Sequence, residues 1–96
     1  MANLTFHLHA RVSSSSLDTV LPVLENIVGR AGVVREGVEL LVDARMDGAS
    51  AKDLNRSLLS ALRRVEKRTR LRSEWTSADG TTYRFFDYVL KKTIPP

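Results

Sequence analysis

Residues 4–12 alternate between apolar and other side chains, and this alternation constrains the fold more than any other feature of the chain. Every second residue from Leu4 to Val12 is apolar, whereas the residues between them are Thr5, His7, His9 and Arg11. A period of two is the repeat of a β-strand that buries one face. Such a face must be covered by a second layer, so the rest of the chain has to supply one.

Two later segments have the spacing of amphipathic helices and are suited to form that layer. Apolar residues recur at helical spacing from Val20 to Ala31, and again from Ala51 to Val65. Ser50 is placed to cap the second helix, which is predicted to continue to about Arg68. The first helix is predicted to end at one of the glycines near residue 30.

Three further strands are predicted. Residues 38–45 alternate as residues 4–12 do, and residues 71–77 and 81–92 flank Asp79-Gly80, a dipeptide typical of hairpin turns. The short segment 33–34 is a candidate for one extra strand.

The period of two also predicts which side chains of the last strand are buried. If Phe86, Tyr88 and Leu90 face the core, Tyr83 and Phe85 face outward. Trp75 is predicted to pack in the core or against the hairpin.

The order of the elements is therefore βαβαββ, which predicts an α+β fold. We expect a two-layer α/β sandwich in which two helices cover one face of a four-stranded mixed sheet. The chain has 96 residues, enough for one hydrophobic core, so residues 1–96 are predicted to form a single domain with residues 94–96 as a tail.

The positive charge of the chain is concentrated in one segment. Residues 52–72 contain eight Lys or Arg and two acids, a local net charge of +6, whereas the remaining residues have a net charge of −2. On a helical wheel, several of these cations fall in one sector opposite the apolar stripe. Cations spaced along an exposed surface are what phosphate contacts need. The predicted nucleic-acid-binding residues are Lys52, Arg56, Arg63, Arg64, Lys67, Arg68, Arg70 and Arg72.

A structural explanation for the same charges is also open. A helix face opposite the core has to be polar, and arginines in the last turn are favoured by the helix dipole. Under that explanation the face is only solvated, or it contacts an acidic protein partner.

The sheet face that the helices leave uncovered, called the open face below, offers a second interaction surface. Exposed aromatic side chains there can stack on bases or form a dimer interface. A third possibility is that the face is only solvated, with cross-strand ion pairs such as Asp43 with Arg11 or Arg45. The acids Glu39, Asp43 and Asp87 disfavour nucleic acid on this face. The candidate interface residues are His7, His9, Leu41, Tyr83 and Phe85.

Catalytic and metal-binding motifs are absent from the sequence. There is no cysteine and no phosphate-binding glycine loop. His7 and His9, with Asp43 or Asp87, are the residues from which a metal site or an acid–base pair could be built, but strand histidines on a mixed polar face are common. The prediction is therefore a protein without metal, cofactor, small-molecule substrate or enzymatic activity.

The location predicted from the sequence is the cytoplasm. No signal peptide and no apolar run long enough to span a membrane is present, and the lack of cysteine fits a reducing compartment.

Two segments resemble parts of the Alba family of chromatin and RNA-binding proteins. Val42-Asp43-Ala44-Arg45, followed closely by the second helix, is similar to Alba's passage from its second strand into its second helix. Asp79-Gly80, leading to a final strand that ends in Lys91-Lys92, resembles Alba's basic hairpin and basic C-terminus. The element order is also similar to the C-terminal domain of bacterial translation initiation factor three. Alba's lysine pair before the first helix is replaced here by serines at 13–16.

The resemblance implies a βαβαββ fold and nucleic-acid binding, and it adds Arg84 and the C-terminal lysines to the contact residues. Together with the charge pattern, it predicts a homodimeric module that contacts the phosphate backbone of DNA or RNA with little sequence specificity. The alternative is a non-enzymatic oligomerisation or protein-interaction domain that uses the open face.

Overall fold

The computed structural model describes residues 4–95. In chain order the elements are β1 (Leu4–Ser13), α1 (Leu17–Val28), a short 3-10 turn (Arg30–Gly32), β2 (Val33–Glu36), β3 (Glu39–Gly48), α2 (Ala51–Val65), β4 (Arg70–Ser77), β5 (Thr82–Phe86) and β6 (Val89–Ile94).

The fold is α+β, as predicted, but the prediction of a four-stranded mixed sheet is wrong. The sheet has six strands in the order β2-β3-β1-β4-β5-β6, and every neighbouring pair is antiparallel. One extra strand is β2, which starts where a short strand was a candidate. The other is β6, because the segment predicted as one last strand turns back on itself at residues 87–88.

The β2–β3 hairpin explains why β1 has no parallel neighbour. Without β2, the chain would leave α1 and enter β3 parallel to β1. The added hairpin reverses the chain once more, so β3 pairs antiparallel with β1. After α2 the chain enters β4, which pairs antiparallel with the other edge of β1. β1 is thus the central strand between β3 and β4.

The alternation of β1 is confirmed by its burial. Phe6, Leu8, Ala10 and Val12 are buried and form one core with side chains of both helices, including Leu24 and Leu58. α1 packs against α2 and β3, and α2 packs against β3 and β4, so both helices cover the same side of the sheet. Trp75 of β4 is fully buried, as predicted.

The predicted orientation of the last strand is wrong. Phe85 is buried at 4% exposure, and Tyr83 packs edge-to-face on the core residue Phe6 with ring centroids 6.4 Å apart. Phe85 lies opposite Ser73, whose small side chain leaves room for the ring between Leu71 and Trp75. Tyr88 and Leu90 are exposed. Alternation shows that every second side chain lies on the same face, but it does not show which of the two sets is buried. Here the pairing with β4 buries the set that contains Tyr83 and Phe85.

Two element ends also differ from the prediction. α2 ends at Val65, so Lys67 and Arg68 lie in the turn before β4 and not on the helix. Ile94, predicted as the start of the tail, is the last residue of β6 and pairs with Thr82. The strand stops there because Pro95 has no N–H with which to continue the pairing. Residue 96 lies outside the described residues.

Within residues 4–95, neither helix has the length and apolar character needed to cross a membrane.

Candidate functional site

The second helix is well defined at both ends. The Ser50 hydroxyl accepts a hydrogen bond from the N–H of Asp53 at 3.1 Å, which satisfies one of the free donors of the first turn. The last turn contains Arg63 and Arg64, whose charges are favoured by the negative end of the helix dipole. The predicted N-cap at Ser50 is therefore confirmed.

Four cations meet where α2 ends and β4 begins. They surround a depression of about 450 Å³ that Asp87 also lines. We call this group the basic corner, and its members are Arg63, Lys67, Arg68 and Arg70. All four were among the residues that the sequence predicted to contact nucleic acid. Their convergence on one carboxylate was not predicted, because Asp87 was expected to lie on the open face.

Asp87 has a different position, in the turn between β5 and β6. Its φ of 56° lies in the left-handed region, which aspartate tolerates better than most residues. Its N–H donates to the Leu71 carbonyl at 2.7 Å, and its own carboxylate accepts from the Leu71 N–H at 2.9 Å. The carboxylate thus replaces the backbone carbonyl in this pairing with β4.

The backbone carbonyl of Asp87, which does not pair with β4, accepts a hydrogen bond from a buried side chain of α2. The side-chain amide of Asn55 in α2 donates to it at 2.7 Å. Asn55 is 1% exposed, and its amide oxygen accepts from the Ser73 hydroxyl at 2.5 Å and from the Trp75 indole N–H at 3.2 Å. No buried side-chain N or O atom within residues 4–95 lacks a hydrogen-bond partner. This polar network connects the core of α2 and β4 to the turn that forms the basic corner.

Two of the corner cations are held in place by the fold. Arg63 donates from Nε to the Thr69 carbonyl at 2.9 Å, lies 3.4 Å from an Asp87 oxygen and stacks over the Tyr88 ring at 5.2 Å. Arg70 lies 3.7 Å from the other Asp87 oxygen. One carboxylate therefore offsets part of the charge of two arginines.

The other two corner cations are exposed. Lys67 and Arg68 project from the turn after α2, and neither takes part in an ion pair within residues 4–95. The four cations of the corner surround Asp87, and the Glu66 carboxylate accepts from the Arg68 N–H at 3.2 Å beside them. Four positive and two negative charges leave a net positive charge at one end of the sheet.

The remaining predicted cations of α2 lie elsewhere on the helix. Lys52 and Arg56 are exposed in its first two turns, and Arg56 is 3.5 Å from Asp53. Arg63 comes eleven positions after Lys52, which is roughly 16 Å along a helix. Arg64 is exposed in the last turn, outside the depression.

Arg72 and Arg84 lie on the open face. Arg72 follows Arg70 on the same side of β4, and its guanidinium stacks over the Phe86 ring at 4.7 Å. The Lys91 ammonium is 6.0 Å from the centre of the same ring. Arg84 is paired with Glu74 at 2.8 Å. The cations of β4 therefore extend from the corner onto the open face next to an aromatic side chain.

The open face forms a cleft of about 780 Å³, and its residues only partly match the predicted interface. His9 and Leu41 line the cleft, and His7 lies beside His9 on the same face. Tyr83 faces the core, and Phe85 is buried with it, so neither offers an exposed ring here. Phe86, which the sequence placed in the core, lies on this face and is half-buried under Arg72.

Asp43 pairs with His7 and His9, and not with Arg11 or Arg45, which were the example partners for a solvated face. Its two oxygens lie 2.5 Å from Nε2 of His7 and 3.3 Å from Nε2 of His9, whereas Arg11 is 3.9 Å from Glu39. The hydrogen bond with His7 lowers the pKa of Asp43, desolvation by the neighbouring side chains opposes this change, and attraction to His9 adds to it. The three side chains form one cluster on the open face.

Comparisons of the chain with protein-family models, with curated proteins and with solved structures found no match.

Proposed function

We propose that this chain binds DNA or RNA through contacts to the phosphate backbone that are centred on the basic corner. The observation that supports this most directly is the pair of exposed cations, Lys67 and Arg68, beside two fixed arginines. Cations in such a cluster can each neutralise a phosphate and release its counterions. Arginine also offers two parallel N–H donors to phosphate oxygens.

The contact surface continues from the corner along β4. Arg70 and Arg72 are two residues apart on the same side of the strand, so their side chains leave the sheet roughly 7 Å from each other. Beyond Arg72, the Phe86 ring and Lys91 offer an aromatic surface and another cation. A single strand could place a base on this ring, which would add stacking energy to the phosphate contacts.

Sequence specificity should be low. The side chains of the corner are cations that suit phosphates, and phosphate contacts fix position without reading bases. The resemblance to Alba and to the domain of initiation factor three stays a prediction, and so does a cytoplasmic location. The absence of enzymatic activity also stays a prediction.

A matched pair of variants tests whether the corner is the centre of contact. In Lys67→Gln/Arg68→Gln, the slope of log affinity against log salt should fall in magnitude by about two, because each lost phosphate contact lowers it by about one. In Lys52→Gln/Arg56→Gln, which removes the same charge from the other end of α2, the slope should be unchanged. Fluorescence anisotropy with labelled duplex DNA and single-stranded RNA measures both.

Three results would contradict the proposal. An equal decrease in the magnitude of the salt slope in both variants would mean that contact extends along the whole helix, as the broader set of predicted residues implies. A smaller slope in the control variant Lys52→Gln/Arg56→Gln alone would place the contact at the first turns of α2. Slopes unchanged in both variants would leave the corner without a role in binding.

A second proposal is self-association, which the exposed apolar residues of β6 favour. This edge strand leaves Val89 at 57% and Leu90 at 49% exposure, and an open edge with apolar side chains can pair with a second copy. If so, sedimentation velocity should show a concentration-dependent dimer that Leu90→Lys abolishes. A monomer at all concentrations would contradict it.

A further inference from the structure

Three potential metal ligands meet on the open face, at a place separate from the basic corner. His7 and His9 project from the same side of β1, and Asp43 of β3 lies directly opposite His9 in the strand pairing. The ligand atoms of the three side chains all lie within 4.8 Å of one another. A His-x-His pair on one strand and a carboxylate from its neighbour are thus brought to one point by the register of the sheet.

One of the two contacts between these side chains has the spacing of ligands in a coordination sphere, and the other is shorter. Two ligands bound to one Zn²⁺ at about 2.0–2.1 Å in tetrahedral geometry are about 3.3 Å apart. The Asp43 oxygens lie 2.5 Å and 3.3 Å from the two Nε2 atoms. Small rotations of exposed side chains are enough to accommodate an ion, since the three are 40%, 53% and 68% exposed.

We propose that His7, His9 and Asp43 bind one divalent transition-metal ion, with Zn²⁺ as a fitting example. Two imidazole nitrogens and one carboxylate oxygen suit Zn²⁺, Ni²⁺, Cu²⁺ and Fe²⁺ better than Mg²⁺ or Ca²⁺, which prefer oxygen ligands. In the metal-free protein each Nε2 carries the proton that it donates to the Asp43 carboxylate. On metal binding these contacts are replaced by bonds to the ion, and each ring shifts to the tautomer that has its proton on Nδ1 and a free lone pair on Nε2. The prediction from the sequence was no metal, because strand histidines on a mixed polar face are common. The pairing that places Asp43 opposite His9 is the added observation that favours a site here.

Three protein ligands leave at least one coordination position open. His9 and Asp43 line the cleft of the open face, so the open position is accessible from that cleft. Arg45 lies opposite His7 in β3, and Glu74 lies opposite His9 in β4, where it pairs with Arg84. A water or a small anion completes the coordination of the ion.

The chain is well suited to a direct test, because it contains two histidines and no cysteine. Protein without a histidine tag is titrated with Zn²⁺ in competition with a chromogenic chelator. In parallel, the imidazole signals are followed by ¹⁵N NMR. We expect a 1:1 complex and a change in the signals of both rings.

Variants show whether these three residues are the ligands. Loss of a residue that only hydrogen-bonds to a metal ligand typically weakens metal binding roughly 10–100-fold. His9→Ala and Asp43→Asn each remove a ligand itself, so each should weaken Zn²⁺ binding by at least that factor. Asp47→Asn, which removes another exposed acid from the same face of β3, should leave the affinity unchanged. Thermal unfolding without metal checks that each variant is folded, which we expect because the side chains are exposed.

Several outcomes would overturn the proposal. Absence of competition with the chelator would mean that Asp43 only forms hydrogen bonds with the two rings. An equal loss of affinity in Asp47→Asn would indicate diffuse electrostatic attraction. Saturable binding without any change in the imidazole signals would place the ion elsewhere.

Discussion

Trp75→Ala should lower the free energy of unfolding by about 3–5 kcal/mol, the usual cost of removing a large aromatic side chain from a core. Trp75 is fully buried, and its indole N–H donates to both Asn55 and Ser73. A domain of this size is expected to be stable by about 5–14 kcal/mol, so the loss is a large part of the total.

The Trp75 prediction is checked by urea denaturation followed by far-UV circular dichroism, because Trp75 is the sole tryptophan and fluorescence is lost with it. Trp75→Phe is the matched control. It retains most of the ring and loses the N–H donor, so its cost should be clearly smaller than that of alanine. Equal costs for the two variants would mean that the hydrogen bonds, and not the packing of the ring, dominate at this position.

Asn55→Leu should lower the free energy of unfolding by about 2–6 kcal/mol, although leucine has a similar volume. The backbone carbonyl of Asp87 loses its donor, and the Ser73 hydroxyl loses its acceptor. A buried polar group left without a partner costs about 1–3 kcal/mol, and two are created here. Urea denaturation followed by Trp75 fluorescence measures this change.

Two further variants make the Asn55 test specific. Ser57→Ala, at an exposed position of the same helix, should change stability by less than about 0.5 kcal/mol. Asn55→Asp should cost at least as much as leucine, because it buries a carboxylate and still removes the donor. A neutral Asn55→Leu would show that water or a rearranged turn satisfies the Asp87 carbonyl.

The same network bears on the basic corner. Asn55 fixes the turn that places Asp87, and Asp87 holds Arg63 and Arg70. We therefore expect changes at Asn55 to affect the corner as well as the core, whereas changes at Lys67 and Arg68 affect the corner alone.

The parts of the fold that depend on local periodicity could be predicted from the sequence. The alternation of residues 4–12 identified β1 as a strand and predicted its buried side, and the apolar stripe with Ser50 identified α2. The failures arose where long-range pairing overrides local pattern. Adjacent apolar residues at 85 and 86 fit either phase of a strand, and only the pairing with Ser73 decides between them.

For the candidate sites too, features that depend on local pattern could be predicted, whereas features that depend on long-range pairing could not. The cations of the corner could be identified from composition, because charge clustering is visible along the chain. Their convergence on Asp87 could not, since it depends on a left-handed residue in a turn that the sequence does not mark with glycine. His7 and His9 were correctly placed on one face, but their approach to Asp43 depends on the register between β1 and β3.

The most direct test of the central claim is a salt titration of the unmodified protein with labelled duplex DNA and single-stranded RNA. We predict measurable affinity at low salt and a log–log slope of about −4 to −6 on duplex DNA, equivalent to roughly five phosphate contacts by the basic corner and β4. Absence of binding to both nucleic acids at low salt would contradict this account, and the corner would then be a solvated surface or a contact site for an acidic protein.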